Sequence, residues 1–66
     1  MSVMKVLEIM AESEKSWEDA TQKGIAKASQ SVKGIRSAWV QDQSVRVKDG
    51  SITGYRVTLK ITFEVQ

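Results

Sequence analysis

The side chains that most often carry out chemistry in proteins are scarce in this sequence. Its 66 residues include no Cys and no His, which removes thiolate metal sites, imidazole general bases and the Ser-His-Asp arrangement. We also find no nucleophile beside a base, no Gly-rich phosphate loop and no paired-carboxylate motif. The sequence therefore predicts a binding protein and not an enzyme.

A small set of polar and aromatic residues remains as candidates for a ligand site: Ser37, Trp39, Gln41, Asp42 and Arg56. Trp39 offers either a flat π surface for a planar ring or an anchor at a contact between subunits, where Trp is enriched. Arg56 can bind a carbonyl or a phosphate, or it can pair with a carboxylate of another copy. Asp42, repeated by symmetry, could hold a hard cation through oxygen ligands.

The charge distribution argues against nucleic acid as a partner, and the first residues of the chain argue against a membrane. The net charge is +2, from ten Lys and Arg against eight Asp and Glu, and no two basic residues are adjacent, so the stripe typical of a nucleic-acid-binding surface is missing. Residues 1–6 contain no apolar run long enough for a signal peptide or a membrane helix. We therefore expect a cytoplasmic protein with neither nucleic acid nor membrane as a partner.

Four structural elements must position these candidates, and the hydrophobic spacing locates them. Residues 3–10 predict a first strand, followed by a polar connection over residues 11–15 without apolar periodicity. Ser16 is a helix cap, and small or apolar residues at steps of three or four predict a helix from about Ser16 to Lys33, ended by Gly34. Residues 35–48 and 53–65 predict two long strands joined at Asp49-Gly50. The apolar phase changes across residues 41–44, which predicts a bulge or bend.

These elements predict one α+β domain over residues 1–66, with the order β-α-β-β and a three-stranded antiparallel sheet wrapped around one helix. The last strand supplies an apolar face at its odd positions, which include Val57, Leu59 and Ile61. One helix covers only one face of that sheet. A chain this short without disulfides needs further burial, so the sequence predicts self-association.

Several segments together resemble the dodecin family of small flavin-binding proteins. The matching segments are residues 5–9 (KVLEI), Ser13, residues 16–20 (SWEDA), residues 34–40 (GIRSAWV) and residues 54–63 (GYRVTLKITF). The resemblance covers essentially the whole chain. It implies a hollow homododecamer that stores or buffers riboflavin, FMN or FAD, bound as stacked pairs at contacts between subunits.

The resemblance also implies which residues would bind the flavin. In the family, a Trp of the second strand stacks on the isoalloxazine ring, and a Gln of the third strand binds the ring's pyrimidine edge. The corresponding positions here are Ser37 and Arg56, and Trp39 follows two residues later, on the same strand face and about 7 Å further along. The implied flavin site therefore consists of Trp39, Ser37, Arg56 and Gln41.

Ser37 in place of the family's Trp favours an alternative within the same family. In that alternative the oligomeric shell lacks flavin and binds cations such as calcium, or other small ligands, at the contacts between subunits. Asp42 is the candidate metal ligand.

Overall fold

The computed structural model describes residues 2–65 and contains one helix and three strands. The elements are β1 (Met4–Ser13), α1 (Trp17–Ser29), β2 (Ile35–Lys48) and β3 (Ser51–Glu64). The strands form one antiparallel sheet in the order β1-β3-β2. The predicted β-α-β-β fold is confirmed. The helix in the described part of the chain is too short and too polar to cross a membrane.

The core lies between α1 and the central strand. Val57, Leu59 and Ile61 of β3 are fully buried together with Ala20 of α1. Alternate residues of a strand point to the same face, which is why the odd positions of β3 form this core as predicted. Gly24 is also buried, and the small residues of α1 allow the helix to lie close to the sheet.

The predicted start of the helix is confirmed, but its predicted end is wrong. The Ser16 hydroxyl accepts a hydrogen bond of 2.9 Å from the backbone N–H of Asp19, as expected of a cap. The helix ends at Ser29 and not near Lys33. The chain leaves it through tighter bonds, of which one joins the N–H of Gln30 to the carbonyl of Lys27 at 3.1 Å. Gly34 has the expected positive φ, 78°.

β1 is longer than the apolar pattern predicted, because it continues through residues 11–13. Ala11, Glu12 and Ser13 pair in register with Val57, Arg56 and Tyr55 of β3. Backbone pairing does not require apolar side chains. Ser13 is buried and donates a hydrogen bond to Asp19 of α1, so the end of β1 is joined to the helix. This extension brings Glu12 onto the sheet.

The hairpin of β2 and β3 turns at Asp49-Gly50, and its alternation is interrupted where the sequence predicted. The register shifts between Val40 and Asp42, which makes Gln41 the extra residue of a bulge. The register also shifts between Ile35 and Ser37 and between Arg46 and Val47. The hairpin accounts for most of the 51 Å length of the protomer.

Candidate functional site

The candidate ligand residues lie on the face of the sheet that α1 does not cover, which we call the open face. Strand register assigns the residues to this face. They are Val6, Glu8, Met10 and Glu12 of β1, Ser37, Trp39, Asp42 and Ser44 of β2, and Arg56, Thr58, Lys60 and Thr62 of β3. The predicted set is therefore brought to one surface, with Gln41 at the bulge between Val40 and Asp42.

Trp39 forms the wall of an open groove on this face. Its side chain is 64% exposed, and the Nζ atom of Lys60 lies 5.6 Å from its ring centroid, within cation–π range. The groove has a volume of about 380 Å³, and Val6, Ser37 and Thr62 are among its other lining residues. An exposed indole can stack against a planar ring or contact an aromatic residue of another subunit.

Ser37 lies in the same groove, where it bonds to the neighbouring strand. Its hydroxyl is hydrogen-bonded to the hydroxyl of Thr62, the residue opposite it on β3. The Thr62 hydroxyl also reaches the backbone carbonyl of Ser37 at 3.3 Å. At this position the groove therefore has a small polar floor and no stacking surface.

Arg56 makes its ion pair within its own chain. Its Nε and Nη2 atoms donate to Oε1 of Glu12 at 3.1 and 3.0 Å. Nη1 of Arg46 donates to Oε2 of the same carboxylate at 2.9 Å. Hydrogen bonds from Arg46 and Arg56 hold the pKa of Glu12 below its usual value. This trio joins all three strands across the open face.

This trio was not predicted, because the sequence pattern placed Glu12 in a polar connection and not in β1. We expected Arg56 to contact a ligand or a carboxylate of another copy, but the structure pairs it with the residue directly opposite on β1. Extending the alternation of β1 through Ala11 and Ser13 would have placed Glu12 on the same face as Arg56. Any ligand contact by Arg56 must therefore compete with Glu12.

Asp42 lies on the open face next to the bulge. It is exposed and stands opposite Thr58. Among residues 2–65 no group of three or more His, Cys, Asp or Glu side chains is placed to hold a metal ion. Since calcium takes six to eight oxygen ligands, a site that uses Asp42 must draw its other ligands from further copies of the chain.

A single antiparallel sheet with one face covered by a helix and the other left open favours association with further copies of the chain. Comparison with known proteins identifies the family. The Dodecin family model matches residues 3–66, and the chain belongs to that family. The predicted family is confirmed, and with it homo-oligomeric assembly.

The relatives differ in how closely they match in sequence and in shape. The calcium dodecin of Mycobacterium tuberculosis is 36% identical over 66 residues, covering 100% of this chain and 93% of the relative. A crystal structure of that protein, described as calcium chelating, superposes with a TM-score of 0.85 at 38% identity, covering 98% and 93% of the two chains.

Two other dodecins superpose on this chain more closely than calcium dodecin does, although they are less similar to it in sequence. The dodecin from Streptomyces davaonensis has a TM-score of 0.93 at 26% identity, covering 98% of this chain and 96% of its own. An arginine-to-alanine variant of the Thermus thermophilus dodecin has a TM-score of 0.94 at 23% identity, covering 100% and 98%. At these identities the likeness establishes the fold.

Proposed function

We propose that the protein is a binding shell of the dodecin type, not an enzyme, and that it holds a hard divalent cation, calcium in the first place, between copies of the chain. One observation carries the proposal. The two residues at the family's flavin-contacting positions are both engaged within the protomer, Ser37 with Thr62 and Arg56 with Glu12. End-to-end likeness to a calcium dodecin at 36% identity supports the same ligand class.

Asp42 is the residue that we propose as the calcium ligand. It is an exposed carboxylate on the open face, and around a symmetry axis each copy would supply one such group. The bulge at Gln41 leaves backbone groups without ladder partners, and carbonyl oxygens are ligands that calcium accepts. A site shared between copies would form only in the assembled shell, so calcium would stabilise the oligomer.

Calcium titration of the native oligomer tests this proposal. We expect calcium to raise the melting temperature, because a ligand at one hundred times its Kd adds about 2.7 kcal/mol to the stability of the state that binds it. Asp42→Asn should lose that shift. Asp49→Asn, which removes the same charge at the exposed hairpin turn, should keep it. No shift in the native protein, or an equal shift in Asp42→Asn, would contradict the proposal.

A second candidate function is flavin storage in a homododecamer, and one specific observation favours it. Trp39 is 64% exposed beside a groove of about 380 Å³, and an indole is a good surface on which an isoalloxazine ring could stack. Riboflavin, FMN and FAD share that ring. Both functions predict a ligand at contacts between subunits, and a cytoplasmic location remains a prediction for both.

Fluorescence quenching separates the two candidates. If Trp39 stacks on the ring, the native oligomer quenches added riboflavin or FMN at micromolar concentration, and Trp39→Ala loses quenching while its native mass is unchanged. If Trp39 is an interface anchor, the same substitution breaks the assembly. A native protein that leaves flavin fluorescence unchanged would exclude the storage function.

A further inference from the structure

The turn of the β2–β3 hairpin combines two residues whose chemistry neither candidate function uses. Asp49 and Gly50 form the turn with φ values of 52° and 78°, and positive φ at both central residues is characteristic of a type I′ hairpin turn. Both residues are exposed in the protomer. Lys48 and Ser51 are the last pair across the two strands, so the backbone N–H of Gly50 lies in the turn and outside the ladder.

The backbone nitrogen of Gly50 and the side-chain carboxyl of Asp49 can react with each other within the chain. Attack of this nitrogen on Cγ of Asp49 closes a five-membered ring. Glycine obstructs the attack least, because it has no Cβ. Among the described residues, no atom other than those of its chain neighbours lies within 4 Å of the position that a Cβ of Gly50 would take. The turn therefore leaves room for the ring to form.

We propose that Asp49-Gly50 is a site of spontaneous backbone modification, at which Asp49 is converted to isoaspartate through a cyclic imide. A bond forms between the nitrogen of Gly50 and Cγ of Asp49, while the N–H proton and the carboxyl OH leave as one water molecule. Hydrolysis then takes up one water. Opening at Cγ restores aspartate, and opening at the backbone carbonyl of Asp49 leaves a main chain that runs through Cβ and Cγ. Neither step consumes an oxidant or a reductant.

The other aspartates of the chain lie in regular structure. The sequence has three Asp and no Asn, the other residue type that forms this imide. Asp19 lies in α1, where the N–H of the following Ala20 donates to a carbonyl of the preceding turn at 3.0 Å. Asp42 lies in β2 and is followed by Gln43, which carries a side chain and pairs with β3. The reaction should therefore concentrate at Asp49.

Conversion to isoaspartate changes the hairpin itself. It adds one methylene to the main chain of a two-residue turn, and the type and length of the turn fix the register of a hairpin. The pairs next to the turn are Lys48 with Ser51 and Val47 with Ile52. These pairs should be the first to lose their geometry, so a converted chain should unfold at a lower urea concentration than a fresh one.

Ageing of the native oligomer tests the proposal. The protein is incubated for weeks at physiological temperature and pH, unfolded, and cleaved after arginine, which places Asp19, Asp42 and Asp49 in separate peptides, residues 1–36, 37–46 and 47–56. Protein isoaspartyl methyltransferase with labelled S-adenosylmethionine then marks each isoaspartate with one methyl group. We expect the label in peptide 47–56 to rise several-fold over fresh protein and the label in the other two peptides to stay at its starting level.

The matched variant is Asp49→Glu, which keeps the charge but would have to close a six-membered ring. Its peptide 47–56 should lose the time-dependent label. The proposal is overturned if the native peptide 47–56 gains no label, if peptide 37–46 gains as much, or if Asp49→Glu is labelled as strongly as the native chain. Should Asp49→Glu fail to reach the native mass, the comparison of the three native peptides decides alone.

Discussion

Replacing Leu59 by alanine should prevent the protein from folding into a stable oligomer. Leu59 is fully buried at the centre of β3, in a core whose other fully buried apolar side chains among residues 2–65 are Ala20, Val57 and Ile61. A Leu→Ala change in a core costs about 2–5 kcal/mol, and single domains have only about 5–15 kcal/mol of stability in total. With so few buried side chains, the loss should approach the whole stability of a protomer. Urea denaturation and native mass together measure it.

The matched control for this substitution is Leu59→Met. A volume-conserving change in a core usually costs less than about 1.5 kcal/mol, so Leu59→Met should keep the native mass and unfold at a slightly lower urea concentration. If Leu59→Ala unfolded at the same urea concentration as Leu59→Met, the core between α1 and β3 would not be what holds the protomer together.

The fold was largely predictable because each element has its own local signal. The odd positions of β3 alternate cleanly, Ser16 caps the helix, and Asp49-Gly50 marks the hairpin turn. Even the bulge at Gln41 follows from the change of phase in β2. These signals are short-range, whereas the strand order β1-β3-β2 depends on contacts between elements and was not predicted.

The errors occurred where a tertiary contact decided the outcome. Ala11, Glu12 and Ser13 have no apolar periodicity, yet they extend β1 because β3 offers them backbone partners. The helix stops at Ser29 although the pattern of small residues continues toward Val32. Residues 30–33 lead the chain back toward the sheet. The spacing of small and apolar residues does not indicate that the helix must end before this connection.

The candidate site was predictable only in part, because each of its residues can contact either its own chain or another copy of the chain. Register alone was enough to bring Ser37, Trp39 and Arg56 to one face. It could not tell that Arg56 is already paired with Glu12. Trp39 and Asp42 are exposed in the protomer, so the sequence of one protomer does not define any contact that they make with another copy.

Backbone shape and sequence identity rank the relatives of this chain differently. The structure matches the Thermus thermophilus dodecin variant with a TM-score of 0.94, and calcium dodecin with 0.85, although calcium dodecin is the nearer of the two in sequence. The same sheet can therefore present different side chains at the same positions.

Replacing Gly24 by leucine should separate the helix from the sheet. A Cβ atom at this position would lie 3.0 Å from Cβ of Ala11 and 3.0 Å from Cδ1 of Leu59, so even the first added carbon is crowded, and a leucine would extend further toward the sheet. Overpacking a core usually costs about 1–3 kcal/mol and occasionally more. This cost should exceed the roughly 1 kcal/mol of helix propensity that is gained on removing glycine.

The matched control is Ala26→Leu, an exposed site two residues along the same helix. A surface change of this kind is expected to alter stability by no more than about 0.5 kcal/mol. Urea denaturation should therefore show a large loss for Gly24→Leu and little change for Ala26→Leu, and the native mass should fall only in the first. Equal stability of the two variants would mean that α1 does not need its close approach to Leu59.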